Sequence, residues 1–227
     1  MEVVNLILYD DCQKDQWHSN YGPSINSVEP DNYLSYNTAE GLYIINAASK
    51  EMAGGLISND YPFPQNCTYF GMDIMYKISE YDFPHLARNE MDLKITVKSG
   101  ASGAIKNQAN GSAQQNFSKN GMWQFDPTGT GWVDTGFDPG LPSMYSENIM
   151  QFRYFTDGET WSVTGLNFNG ETFTPGKTFQ NLPMISTNWG AGLHPQLQTE
   201  VQGAPWFLRQ NYTKIRILAS ANPISWI

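Results

Sequence analysis

The chain has 227 residues, and its 22 acidic side chains outnumber 13 Lys and Arg to give a net charge of −9. That length suits one large all-β domain as well as two small ones, and the acidic balance, with no basic cluster anywhere, argues against nucleic acid or an anionic membrane surface as partner. Charged residues make up only 15% of the chain, so its surface must be built largely from Asn, Gln, Ser, Thr, Gly and Tyr, which hydrogen-bond neutral polar ligands.

Apolar residues alternate or come in short runs broken by Gly, Pro and Asn, with no helical pattern of useful length. This is the pattern of a sandwich or barrel, and no apolar run approaches a membrane span. The first ten residues are too short and lack the basic segment of a signal peptide, which leaves a cytoplasmic chain or a trimmed secreted one. A strand is predicted over 3–9, followed by Asp10, Asp11 and Cys12. Cys12 and Cys67 have no CxxC or Cys/His cluster around them, so they are either buried thiols or one disulfide. Further strands are predicted over 33–36, 41–47, 56–58 and 68–78.

The segment 90–97 alternates strictly. Glu90, Asp92 and Lys94 fall on one side, and Met91, Leu93, Ile95 and Val97 on the other. A period of two means a strand with one face in an apolar core. Its polar face is either ordinary solvated surface or the floor of a sugar cleft. The stretch 99–112, rich in Gly, Ser and Asn, reads as a surface loop. Strands over 111–116 and 122–125 are bounded by Asn110-Gly111 and Asn120-Gly121, a pairing that favours hairpin turns. Strands over 132–137, 148–156, 160–168 and 171–173 follow, with Asp157-Gly158 and Asn169-Gly170 as turns.

The strand over 183–189 ends in Trp189, beside a Gly-rich segment and near His194. Sugar C–H faces pack on exposed rings, so Trp189 is the first choice for an aromatic platform, whereas Trp161, inside a strand, is expected in the core. Trp123 and Trp132 also lie in or beside strands. In the strand over 196–202, Gln196, Gln198 and Glu200 alternate with Leu197, Thr199 and Val201. This second polar face is either a solvated edge or a set of donors and acceptors for sugar hydroxyls. Two such strands in one chain favour a shared polar face. A last strand is predicted over 212–219, and nothing marks a domain boundary within 1–227. His18, His85 and His194 lack metal-ligand spacing, and no nucleophile elbow, phosphate loop or dinucleotide fingerprint is present. Sequons at Asn66, Asn110, Asn116 and Asn211 are compatible with secretion.

Phe83-Pro84-His85-Leu86-Ala87-Arg88-Asn89-Glu90-Met91-Asp92-Leu93-Lys94 resembles the Pro…Glu-x-Asp-x-(x)-Glu strand of laminarinase-type glycoside hydrolases, in the concanavalin A-like lectin and glucanase superfamily. Segments 152–163 and 212–218 resemble that superfamily's paired and closing strands. The resemblance implies an antiparallel two-sheet jelly roll whose concave face holds an oligo- or polysaccharide. It implies a Ca2+ ion as well, for which Asp10, Asp11 and Asp138 are available, although their spacing matches no calcium loop. It makes Glu90 the nucleophile and Asp92 its helper. The acid/base position falls on Lys94 or Ile95, and neither can do that work. A hydrolase therefore needs a carboxylate from another strand, for which Glu200 is the best candidate. Arg88-Asn89-Glu90, with His85 and Tyr81, also faintly resembles the Arg-x-Glu strand of alginate lyases, whose other motifs are absent.

Three readings follow. A lectin-like glycan binder would use Glu90, Asp92, Lys94, Arg88, Trp189, His194, Gln196 and Gln198. A β-glucan hydrolase would use Glu90, Asp92 and Glu200, and a jelly-roll polysaccharide lyase is the third. The missing acid/base carboxylate favours the first. The sequence carries no signal of oligomeric state.

Overall fold

A computed structural model of the chain describes residues 4–10, 12, 18–19, 33–37, 41–48, 52–57, 61–62, 64–81, 86–99, 105–187, 190–202 and 206–227; for some of the strand residues only the backbone is described. In chain order the strands are β1 (Val4–Asp10), β2 (His18–Ser19), β3 (Tyr33–Asn37), β4 (Gly41–Ala48), β5 (Met52–Ile57), β6 (Tyr69–Tyr81), β7 (Leu86–Ser99), β8 (Ile105–Ala109) and β9 (Ser112–Asn116). They continue with β10 (Met122–Phe125), β11 (Val133–Asp134), β12 (Glu147–Thr156), β13 (Thr160–Phe168), β14 (Glu171–Phe173), β15 (Leu182–Pro183), β16 (Ile185–Thr187), β17 (Gly192–Gln202) and β18 (Trp206–Ser220).

The strands form two antiparallel sheets. The first runs β14-β13-β12-β6-β18-β4-β3, with β1 added to β18 and β15 to β13. The second runs β11-β10-β9-β7-β17-β5-β2, with β8 added to β7 and β16 to β8. The expected all-β, two-sheet jelly-roll sandwich is the observed one. Alternation explains the packing: β6 turns Phe70, Met72, Ile74 and Tyr76 inward, and β7 answers with Met91, Leu93 and Ile95. Phe125 of β10 meets Phe152 of β12 across the interior, ring centroids 5.6 Å apart. The Tyr154 hydroxyl donates to the Leu93 carbonyl at 2.6 Å, tying the two sheets at the centre of the core. Trp161 is fully buried, as expected, and so is Trp123.

Three turns form where the sequence places them. Asn120 (φ 57) with Gly121 (φ 92), and Asn169 (φ 50) with Gly170 (φ 91), take the left-handed conformations that Asn and Gly tolerate. At Asp157-Gly158 the Asp157 carboxylate accepts from the amides of Glu159 at 2.8 Å and Thr160 at 2.7 Å.

The stretch read as a loop over 99–112 contains β8, and Asn110-Gly111 is no hairpin turn. Both β8 and β9 pair with the same edge of β7, Ala109 opposite Ile95 and Ser112 opposite Asp92, so they are one bent strand. The bend sits at Gly111, whose carbonyl accepts from the Leu93 amide at 2.7 Å. Loop-like composition misled there because β8 lies between β7 and β16 and takes its stability from their ladders. The strand expected over 56–58 is β5, and the one over 132–137 shrinks to β11. The one over 183–189 splits into β15 and β16, and the one over 196–202 starts at Gly192, so that His194 lies inside it.

Asn110 and Asn116 are buried and bonded, Asn110 Nδ2 to the Asp126 carbonyl at 2.8 Å and Asn116 Nδ2 to Gln124 at 3.1 Å, which leaves neither room for a glycan. Asn66 is exposed in a turn. Cys12 and Cys67 are both buried.

The outward face of the first sheet carries a buried charge cluster. Asp73 of β6 accepts from Arg153 of β12 and from Arg216 of β18, and the Trp226 ring lies 4.8 Å from the Arg153 guanidinium. The chain's last residues pass over this cluster, and Ser225 accepts from Arg153 at 3.2 Å.

Candidate functional site

Register brings the two polar strand sets together. β7 and β17 are neighbours, paired from Leu86 opposite Gln202 to Thr96 opposite Gly192. Glu90 stands opposite Gln198, Asp92 opposite Gln196, Lys94 opposite His194, and Arg88 opposite Glu200. Directly opposed residues of an antiparallel pair share a face, so the two polar strand sets predicted separately form one surface. It lies away from the core, since Met91, Leu93, Ile95, Leu193 and Leu197 point inward at zero exposure. Ile95 is thereby removed from any part in the site, and Lys94 occupies the outward position.

The side chains of Arg88, Asp92, Gln198 and Glu200 lie outside the described parts, although their backbone positions are fixed. Trp189 and His85 lie outside the described residues. Glu90 and Lys94 are half-buried, and both engage other groups. His194 is 1% exposed, with Nε2 3.0 Å from the Gly190 carbonyl and 3.1 Å from Thr96 Oγ1. A carbonyl only accepts, so this nitrogen carries the proton. The ring thus fastens the start of β17 to β7.

The same face continues over β9, β10 and β11. β9 brings Ser112 opposite Asp92, Gln114 opposite Glu90 and Asn116 opposite Arg88. β10 places Gln124 opposite Gln114, and β11 places Asp134 opposite Gln124. Asp134, Gln124, Gln114, Glu90 and Gln198 therefore form one row across five strands, about 19 Å long at roughly 4.8 Å per strand. Alternation in 122–125 carried part of this signal, with Trp123 and Phe125 inward. In β9 it was blurred, because Gln115 is polar and yet faces inward, donating from Nε2 to the Gly140 carbonyl at 2.8 Å.

Within the row the hydrogen bonds run one way. Lys119 Nζ lies 2.8 Å from one oxygen of Asp134 and 2.9 Å from the other. Gln124 Nε2 donates to Asp134 at 2.5 Å, while Gln124 Oε1 accepts from Gln114 Nε2 at 2.6 Å and from Asn116 Nδ2 at 3.1 Å. Gln114 Oε1 is buried without a partner. An acceptor left in that condition costs about 1–3 kcal/mol.

The Lys119 and Gln124 bonds hold the Asp134 carboxyl below the usual aspartate range. A depressed folded-state pKa means a stabilising contribution present above the ordinary value of 3.8 and lost as pH falls through the folded value. Lys119→Ala is expected to move the Asp134 titration, followed by carboxyl NMR, up towards that ordinary value. An unmoved titration would show that Lys119 does not set it.

The carboxylate of Asp138 accepts from the Gly140 amide at 3.3 Å and from Asn120 at 3.5 Å. Asp11 and the side chain of Asp10 lie outside the described parts. Among the described residues no group of three or more His, Cys, Asp or Glu converges as a metal site requires. Trp132, half-buried, directly precedes β11 and is two residues from Asp134, at the rim of the polar face. Among the described residues no helix is long and apolar enough to cross a membrane.

No family model matches the sequence, and no curated protein matches it. Solved structures do resemble the fold. The CBM2 module of the evolved Dit of Lactobacillus casei BL23 phage J-1 is similar with a TM-score of 0.52, 11% identity and 99% of each chain covered. The carbohydrate esterase vb_24B_21 from Shiga toxin-encoding bacteriophage phi24B gives a TM-score of 0.51 at 11% identity, covering 96% of this chain and 100% of that one. Lectin II from Ulex europaeus gives 0.50 at 9% identity, covering 96% of this chain and 98% of that one. At such identities the likeness is one of fold: this chain is a two-sheet antiparallel β-sandwich.

Proposed function

We propose that the outward face of the second sheet binds an oligo- or polysaccharide, and that residues 1–227 form one concanavalin A-like domain for that purpose. The observation that carries the reading is the register: it joins Glu90, Asp92, Lys94, Arg88, His194, Gln196, Gln198 and Glu200 with Ser112, Gln114, Asn116 and Gln124 on one face. Amides, carboxylates and amines alternate there, as recognition of neutral hydroxyls requires. The likeness in fold to a lectin and to a CBM2 module supports the same reading.

A second reading, hydrolysis of a β-glucan, is favoured by one observation. Arg88 opposite Glu200 and Glu90 opposite Gln198 put Glu200 diagonal to Glu90 across neighbouring strands. Diagonal positions lie about 7–8 Å apart, near enough for two glutamates to flank one glycosidic bond.

The full chain applied to a glycan array is expected to bind saturably, with Glu90→Gln weakening binding by about tenfold through loss of charge-assisted hydrogen bonds. Reducing-end release from β-glucans that Glu90→Gln abolishes would establish the hydrolase instead. Unsaturated uronates released from polyuronates would establish a lyase. Neither binding nor cleavage of any glycan would end the saccharide reading.

A further inference from the structure

The one-way hydrogen bonds of β9 to β11 have a cause. An ionised carboxylate only accepts, so Asp134 forces Gln124 to present its NH2 group to it. Gln124 must then present its carbonyl to β9, where Gln114 and Asn116 both donate to it. Gln114 in turn has its carbonyl oxygen directed away from β10, on the side of β7, where Glu90 stands across from it. The orientation of three amides is thus set by a single charge, and Lys119 keeps that charge in place. The chain of bonds ends in an acceptor that is buried and unpartnered, on a side chain only 1% exposed.

We propose that Gln114 Oε1 is a specificity-determining contact that receives a hydroxyl of a neutral saccharide lying over β9 and β7. The inference rests on the glycan-binding reading of this face and names one atom of it. The ligand group must be a donor, because only a donor completes a carbonyl oxygen. It is a neutral one, because Lys119 and Asp134 cancel at the far end and deliver orientation rather than net charge. Oε1 is closed to bulk water in the unliganded chain, so the donor reaches it only when the partly exposed side chain of Glu90, directly opposite Gln114, moves aside to admit the ligand. Asn116 still satisfies Gln124 if Gln114 is removed, so Gln114→Met leaves no new orphan on β10.

The test takes the neutral oligosaccharide that the wild-type chain binds best on an array, together with its monodeoxy analogues, into calorimetric titrations. Wild type is expected to lose about tenfold in affinity when one particular hydroxyl is deleted. Gln114→Met is expected to bind the intact and deoxy sugars within about twofold of each other, since the partner of that hydroxyl is gone. Asp134→Asn, a change at an exposed residue, lets the amides reverse, and about threefold discrimination is expected to remain. It decides the matter if Gln114→Met does not fold. Equal losses in wild type and both variants, for every deoxy sugar, would overturn the contact and leave glycan binding intact. A wild-type chain that binds no neutral glycan overturns both.

Discussion

Asp73→Ala is expected to lower the unfolding free energy by about 3–5 kcal/mol, measured by urea denaturation. Asp73 has a 2% exposed side chain, with Arg153 Nη1 2.7 Å from one oxygen and Arg216 Nη2 2.6 Å from the other. Gln151 Nε2 adds a bond at 2.9 Å, so the carboxylate is saturated. Removing it leaves two guanidiniums of one sign side by side, one of them only 4% exposed. Burial already pulls the Arg153 pKa down, and Asp73 is what opposes that pull. Arg216, at 22% exposure, turns partly to water and holds the loss towards the lower end of the range. Replacing the whole trio with apolar residues of similar volume is expected to come out close to neutral, because the cost lies in the orphaned charges and not in the missing pairs. A loss below about 1 kcal/mol for Asp73→Ala would show that the cluster is hydrated.

Gly111→Ala is expected to cost about 3 kcal/mol, the upper end for overpacking. A Cβ at Gly111 would lie 2.4 Å from the Leu93 carbonyl oxygen and 2.9 Å from the Tyr154 ring. Neither can withdraw. The carbonyl belongs to the backbone of β7 and accepts the Tyr154 hydroxyl at 2.6 Å, and the Tyr154 ring is fully buried. The methyl must therefore push the bent β8–β9 strand off β7, which also disturbs the Gln114 row. Gly131→Ala is the control: nothing lies within 4 Å of its added Cβ, and a change within about 0.5 kcal/mol is expected. Equal stabilities for the two variants would show that the bend at Gly111 relaxes freely.

The parts of the fold legible in the sequence are those governed by local chemistry. Alternation found β7, β10, β12 and β13, and the Asn-Gly and Asp-Gly turns at 120, 157 and 169 bent as their backbone preferences require. β8 was hidden because Ile105–Ala109 has the composition of a loop and becomes a strand only through ladders on both sides. Asn110-Gly111 misled for a related reason. Gly is needed there for the close approach of Leu93 and Tyr154, a contact from strands far along the chain, and not for a turn.

Half of the candidate face could be read in the same way. The polar sets on β7 and β17 were visible separately, while their adjacency is a fact of topology that no local pattern encodes. Gln114 and Gln124 carried no signal strong enough to single them out, since their role depends on a carboxylate at Asp134 and an amine at Lys119 brought in by other segments.

Backbone amide NMR of the full chain, titrated with an oligosaccharide that it binds, tests the central claim most directly. Shift changes concentrated in 88–96, 112–116, 122–124, 134 and 194–200 are the predicted result. Changes centred instead on Asp73, Gln151, Arg153 and Arg216, across the sandwich, would contradict it.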